Sequence, residues 1–305
     1  MPENKKGAPK PPDVTEIDLS KAKNFEAASK ADPSLTELAE KSKTTSRKRK
    51  TGKFNFSSAE AIPLPSGGKL YKGVTDDEDV IKHGHIRMLP MTIKEEEILS
   101  TQKFLKAGIA TRMILDSCID SDIDAKDILL FDSNFLMFYL RSISYGDEYT
   151  FNIQCTNPSC EKKFEHTVLI SELPFEELSN DIKEPIKIKL PKSGYTVEAI
   201  LPRLYHSEEI YMRNRNKRKG TGDKDERLVD NLLVTTIRII DNDGNEVPEE
   251  DWQEFYESIP GIDSGTLREK TTFSTGVDEI SDIECPYCQQ EYSGTIPIGP
   301  EFFRF

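Results

Sequence analysis

Cys155 and Cys160 in CTNPSC, and Cys285 and Cys288 in CPYC, form two close pairs, C-x4-C and C-x2-C. At that spacing a turn can aim two thiolates at one metal ion. Each pair lies between strand-like runs, EYTFNIQ and KFEHTVL around the first, EISDIE and QEYSGTIPI around the second. Two such hairpins facing each other make a zinc ribbon. Four thiolates complete the tetrahedral shell of Zn2+ and leave no position for water or substrate, so the expected ion is structural. The 124 residues from 161 to 284 separate the pairs, and closing a flexible loop of that length costs about 4 kcal/mol plus a constant. Structural zinc contributes roughly 10 to 16 kcal/mol of apparent binding free energy near neutral pH, which outweighs that cost.

Two other readings of the cysteines stay open on sequence alone: reduced thiols that never meet, and a redox-active CPYC. Redox chemistry needs the first thiol at a helix N-terminus within a βαβ unit. Here the strand-like QQEYSGTIPIGP follows, stopped by Pro297 and Pro300. Cys118, inside IATRMILDSCI, reads as a small core residue. The four histidines, His83, His85, His166 and His206, fall in no nucleophile or metalloenzyme pattern, and His83 and His85 beside Gly84 read as a surface loop. KSGYTV and RKGTGD lack the phosphate-loop framework. The acidic run from Asp76 to Asp79 reads as solvated. We therefore expect no enzyme.

The 305 residues suffice for a sizeable core in one or two domains. With 41 basic and 54 acidic residues the net charge is -13, which disfavours non-specific nucleic-acid binding. The charge is uneven: residues 1–60 hold 13 Lys/Arg and 9 Asp/Glu, a net of +4, leaving -17 for the rest. That segment, with the cluster Arg47, Lys48, Arg49 and Lys50, reads as a disordered basic arm. The cluster is either a partner or nucleic-acid contact or a solvated tail. Without a secretory signal or an 18-residue apolar run, the expectation is a soluble protein of a reducing compartment with no membrane insertion, where metal is favoured over disulfide.

Ahead of the cysteines the sequence predicts a helical core. Order is expected to begin at IPLPSGGKLY, where Pro63 and Pro65 extend the chain and Gly67-Gly68 permits a turn. A strand is predicted over 85–91, then a helix opened by a Thr92/Glu95 capping box with Glu95, Glu96 and Glu97 at its positive end. Further helices are predicted over 109–119 and 125–144; the latter is the most apolar stretch and the expected centre of the core. Arg141 on it reads as a surface or core-edge ion pair, with a partner contact as the alternative.

Between the cysteine pairs, strands are predicted at 186–190 and 195–201, joined by PKSG, and helices at 206–216, 225–240 and 248–259. A charged loop over NRNKRKGTGDKDE and a short helix at SGTLREKTTF complete the insertion. Phe302, Phe303 and Phe305 crowd the last four residues. Such aromatics either fold back on the ribbon or anchor in a neighbouring subunit.

The succession IPLPSGGKLY, IRMLPMTIKEEEIL, DILLFDSNFLMFYLRSISYGDEY and the following cysteine pair resembles the T4-type bacteriophage base plate protein family, most clearly over residues 62–170. The resemblance implies a structural component of the baseplate hub of a contractile-tailed phage. Such a component is assembled in the host cytoplasm, resides in the virion tail and acts through contacts with other hub and tail proteins rather than on a small-molecule substrate. Two alternatives remain: a non-virion chaperone of tail assembly, and a nucleic-acid-binding zinc-ribbon protein with a basic arm.

The expected fold class is α+β, a helical N-terminal core (61–147) joined to a split zinc ribbon (148–170 and 277–300). A mixed α/β insertion (171–276) interrupts the ribbon, a basic arm (1–60) precedes the core and an aromatic tail (301–305) ends the chain.

Overall fold

A computed structural model describes residues 58–106, 108–218, 227–271, 276–277, 280–298 and 300–303. Residues 1–57 of the basic arm, with Arg47, Lys48, Arg49 and Lys50, residues 219–226 of the charged loop, and Phe305 lie outside the described residues. The described part is a mixed α+β structure of nine α-helices and small antiparallel sheets.

Strand β1 (Glu60–Pro63) pairs with β2 (His85–Met88), and helix α1 (Glu78–His83) lies between them. Asp77 caps α1 by accepting from the Asp79 N–H, and Gly84 ends it with φ 66°. His83 and His85 thus flank a helix end inside a packed supersecondary unit, not a loop. A Cβ on Gly68 would stand 1.9 Å from the Val80 carbonyl oxygen, and one on Gly84 would stand 2.6 Å from the Gly67 carbonyl carbon. Two backbones therefore meet where only glycine leaves room. Strand β2 stops at Met88, short of the predicted 91, because Pro90 has no N–H to donate and Leu89 instead donates to Cys118 O at 2.8 Å.

Helix α2 (Ile93–Ser100) begins with the expected capping box, the Thr92 N–H donating to Glu95 Oε2 at 2.7 Å. Short α3 (Gln102–Lys106) and α4 (Ala110–Cys118) follow. The buried Glu95 also accepts from the Ser117 hydroxyl, tying α2 to α4. Cys118 is fully buried, as its apolar setting predicts. The helix predicted over 125–144 divides into a 3-10 turn at Ala125–Asp127 and the long α5 (Leu130–Tyr145). Ile128 and Leu129 are extended because their backbone serves other partners: Leu129 N donates to Tyr71 OH at 3.0 Å, and Ile128 O accepts from Leu204 N at 2.9 Å.

Helix α5 is the centre of the core. It buries Phe135, Leu136, Met137, Phe138 and Leu140 together with the polar Asp132, Ser133 and Arg141. Asp132 accepts from Ser66 N at 3.0 Å and Tyr71 OH at 2.7 Å. Burial pushes its pKa up to about 6 despite those donors. Arg141 is buried too, donates to the Gly146 carbonyl just past the helix end, and lies over the Tyr149 ring at 5.6 Å. Gly146, at φ 96°, turns α5 directly into β3 (Glu148–Gln154), which pairs with β4 (Lys163–Leu169).

The insertion is closed at its base by its own chain. β5 (Phe175–Glu176) pairs with β9 (Gly276–Val277), about one hundred residues later. Between them, β6 (Ile186–Lys189), β7 (Thr196–Ala199) and β8 (Thr236–Ile240) form an antiparallel sheet in the order β6-β7-β8. Helices α6 (Leu204–Arg218), α7 (Arg227–Thr235), α8 (Trp252–Ser258) and α9 (Gly261–Thr271) accompany it. Leu190, Val197, Leu232, Ile239, Trp252 and Leu267 share a core separate from that around α5.

The helix predicted over 225–240 is corrected here: it ends at Thr235, and residues 236–240 are strand β8. Leu228, Leu232 and Leu233 do follow helical spacing, but Thr236, Ile237, Ile239 and Ile240 are β-branched and suit a pleated surface. Pairing with β7 decides the matter, with the buried Ile239 opposite Val197.

Charged side chains fasten the insertion to the core. Buried Arg203 pairs with Glu184 at 2.9 Å and donates to Asp127 O at 2.8 Å, and buried Arg112 on α4 pairs with Glu208 on α6 at 2.5 Å. The final hairpin, β10 (Ile280–Glu284) and β11 (Glu291–Thr295), leads to a 3-10 turn at Pro300–Phe303. Phe302 and Phe303 are buried within the chain's own core. Phe302 sits edge-on to Phe138 and Tyr149, with centroids at 5.2 and 4.7 Å. Of the two expected placements these two residues take the fold-back. Their seat is α5 and the start of β3 rather than the cysteine end of the ribbon.

Candidate metal centre

Cys155 directly follows β3 and Cys285 directly follows β10, so each pair occupies the turn of a hairpin. The two turns are built alike. Cys155 N donates to Lys162 O at 2.9 Å and Cys285 N to Gln290 O at 3.0 Å, closing each hairpin behind its cysteines. Glu161 and Gln289, each just after the second cysteine of its pair, have φ of 48° and 58°. These are the only non-glycine residues of positive φ among the described residues. A left-handed conformation costs an ordinary residue about 1–2 kcal/mol, and its repetition at equivalent positions marks turns shaped to present two sulfurs together.

The hairpins pack face to face. Phe164 and Ile283 are buried between them with Cys155 and Cys285, and Tyr292 OH donates to Gln154 O at 3.4 Å. A Cβ on Gly294 would stand 2.5 Å from Ile283 Cδ1 and 3.0 Å from Ile153 Cδ1. The glycine in QEYSGT therefore leaves room for the ends of Ile283, on its own hairpin, and Ile153, on the other. Across the turns, Lys162 Nζ lies 4.5 Å from the Tyr287 ring centroid.

All four ligand sulfurs lie within 4.8 Å of one another, the one cluster of at least three metal-ligating side chains found among the described residues. Cys155 Sγ is 3.6 Å from Cys288 Sγ, and Cys160 Sγ is 3.9 Å from Cys285 Sγ. These separations are far above a disulfide bond length, about 2.05 Å, and all four cysteines are free. They match the edge of a tetrahedron of sulfurs at a Zn–S distance of about 2.3 Å, which is about 3.8 Å. The reading in which the thiols never meet is excluded. The redox reading loses its support as well, since CPYC sits in a hairpin turn with β11, not a helix, behind it.

Electrostatics point the same way. Burial opposes ionisation of Cys285, but the N–H groups of Tyr287 and Cys288 and hydrogen bonds from neighbouring thiols outweigh it, bringing its pKa down to about 7. At Cys155 the Asn157 N–H favours the thiolate, yet burial and the three other thiols together push the pKa up to about 12. Thiols this close resist ionising together unless a cation joins them. The donor set is all sulfur and closed, which suits a soft or borderline tetrahedral metal such as zinc and leaves no coordination position for substrate.

Asn157 is the residue of this site that the spacing of cysteines does not reveal. Its backbone N–H lies 3.4 Å from Cys155 Sγ, and its Nδ2 lies 3.7 Å from Cys288 Sγ on the other hairpin. The one sequence signal for it is the C-x4-C length, which gives the first turn two more residues than the second. Arg47, Lys48, Arg49, Lys50 and Phe305 lie outside the described residues, and Phe302 and Phe303 are in the interior.

Among the described residues no helix is long and apolar enough to cross a membrane. Neither the curated proteins nor the solved structures give a match to this chain. Protein-family comparison, in contrast, matches residues 60–304, extending the resemblance seen over 62–170 through the insertion and the second cysteine pair. The chain belongs to the T4 bacteriophage base plate protein family.

Proposed function

We propose that the protein is a structural component of the baseplate hub of a contractile-tailed phage, acting through contacts with other hub and tail proteins. A structural Zn2+ is held by Cys155, Cys160, Cys285 and Cys288. The observation that carries the reading is the family match over residues 60–304, most of the chain. The closed four-sulfur cluster supports it, because a metal there can brace two hairpins but not bind a substrate. In this reading the split ribbon (148–170 and 277–300) braces the helical core (61–147) against the insertion (171–276). The basic cluster from Arg47 to Lys50 is assigned to partner contact, and the virion tail is the final location. A net charge of -13 weighs against the nucleic-acid alternative.

Mass spectrometry of purified particles tests the hub assignment. The protein should be present at fixed stoichiometry, and its absence from mature particles would make it an assembly factor instead. Metal analysis of the purified chain tests the zinc assignment, with one equivalent expected.

A further inference from the structure

We infer that Asn157 is a positioning residue of the metal centre, donating to a sulfur of the opposite hairpin and so setting how the two turns meet. The inference deepens the zinc reading and rests on it. The orientation of the side-chain amide is determined locally. Asn157 Oδ1 accepts from the Ser159 N–H at 2.9 Å, a role only the oxygen can fill, and this leaves Nδ2 facing Cys288 Sγ at 3.7 Å.

The sulfurs of the two turns are reached differently. Cys155 takes a backbone N–H within its own turn, that of Asn157 at 3.4 Å. Cys288 takes the Asn157 amide, 131 residues away in sequence. Asn157 thus touches one sulfur of each pair, Cys155 through its backbone and Cys288 through its side chain. The longer C-x4-C turn supplies the room for that reach. Four thiolates around a divalent cation carry a net charge of about -2, and N–H donors to sulfur stabilise that charge while fixing the direction of each lone pair.

The test uses the full chain in three forms: wild type, Asn157→Asp and Asn157→Ala. Asn157→Asp keeps the oxygen that accepts from Ser159 but replaces the donor to Cys288 with a negative charge. Asn157→Ala removes both. Zinc affinity is read by competition with a chromogenic chelator, and the site is read again with Co2+ through its thiolate charge-transfer bands. Helical circular dichroism checks the fold.

Asn157→Asp should bind zinc about 10- to 100-fold more weakly, at least as weakly as Asn157→Ala. Its Co2+ charge-transfer bands should shift while the tetrahedral d–d bands persist. If Asn157→Asp instead binds as wild type does, with an unshifted Co2+ spectrum, the inference is overturned even where Asn157→Ala is weak, since only the turn would then matter. Wild-type protein that takes up neither zinc nor cobalt overturns the metal reading as well.

Discussion

Among the described residues, the chain around α5 buries Ile62, Tyr71, Met88, Leu115, Leu136 and Phe302 with many other apolar side chains, whereas the cysteine end of the ribbon buries Cys155, Phe164, Ile283 and Cys285. The first region draws on a broad apolar core, each part of it stabilising by about 25 cal/mol per Å2 removed from water. The second has little of that: two two-stranded hairpins with so small a core are marginal without a staple. In the proposed reading a metal held by the four sulfurs supplies what apolar area does not, so one chain would use two kinds of stabilisation, one spread over many contacts and one concentrated on a single point. They join where Tyr149 and Phe302 meet at the base of the ribbon.

The sharpest way to break this contrast is to remove the metal ligands. Cys285→Ser with Cys288→Ser should abolish metal binding and open the β10–β11 hairpin to limited proteolysis, while most helical circular dichroism survives. The expected loss to the ribbon is most of the roughly 10–16 kcal/mol that structural zinc supplies. Global unfolding of the double variant would mean that the core depends on the ribbon after all.

Acid should pull the two regions in opposite directions. Below neutral pH the cysteine ligands regain protons and the metal is released. In the core, burial raises the pKa of Asp132 to about 6 from an ordinary value of 3.8. Between those values the folded state holds a proton that the unfolded state has lost, so this group's contribution to stability falls as pH rises from about 4 to about 6, and is regained on acidification. Asp116, also raised by burial to about 6, acts in the same sense. In the presence of a chelator, the change in melting temperature from pH 7 to pH 5 should be less favourable in Asp132→Asn than in wild type. An identical change in both would remove Asp132 from the account.

Phe302→Ala tests the junction itself. Emptying a fully buried phenylalanine site should cost about 3–5 kcal/mol in chemical denaturation, without changing metal stoichiometry. Loss of bound metal along with stability would show that the aromatic seat positions the second hairpin. The smallest effect belongs to Thr92→Ala, which takes the cap from α2 and should cost about 1 kcal/mol in the core alone.

Local chemistry made much of this architecture legible. Thr92 and Glu95 announce the start of α2, Gly146 marks the exit from α5, and the strand-like runs around each cysteine pair become β3, β4, β10 and β11. What misled were stretches where a neighbour distant in sequence outbids local preference. Residues 236–240 carry apolar side chains compatible with a helix, but β7 offers them a partner. Ile128 and Leu129 leave the helical pattern because the insertion and Tyr71 take their backbone groups. Nor does sequence announce that Asp132 is buried, since its donors, Ser66 and Tyr71, lie more than sixty positions away.

By itself, then, the amino-acid sequence determined that four thiols at knuckle spacing would stand at the turns of hairpins, because cysteine spacing and strand pattern are properties of neighbours along the chain. Only the tertiary structure decided that the two turns meet with sulfurs 3.6 to 3.9 Å apart, and that Asn157 spans them. It also decided that Phe302 closes on α5. The physical reason is that these contacts depend on how the insertion closes at β5 and β9 and on the space Gly294 leaves for Ile283 and Ile153. Packing between remote segments sets both, and no local window of residues contains it.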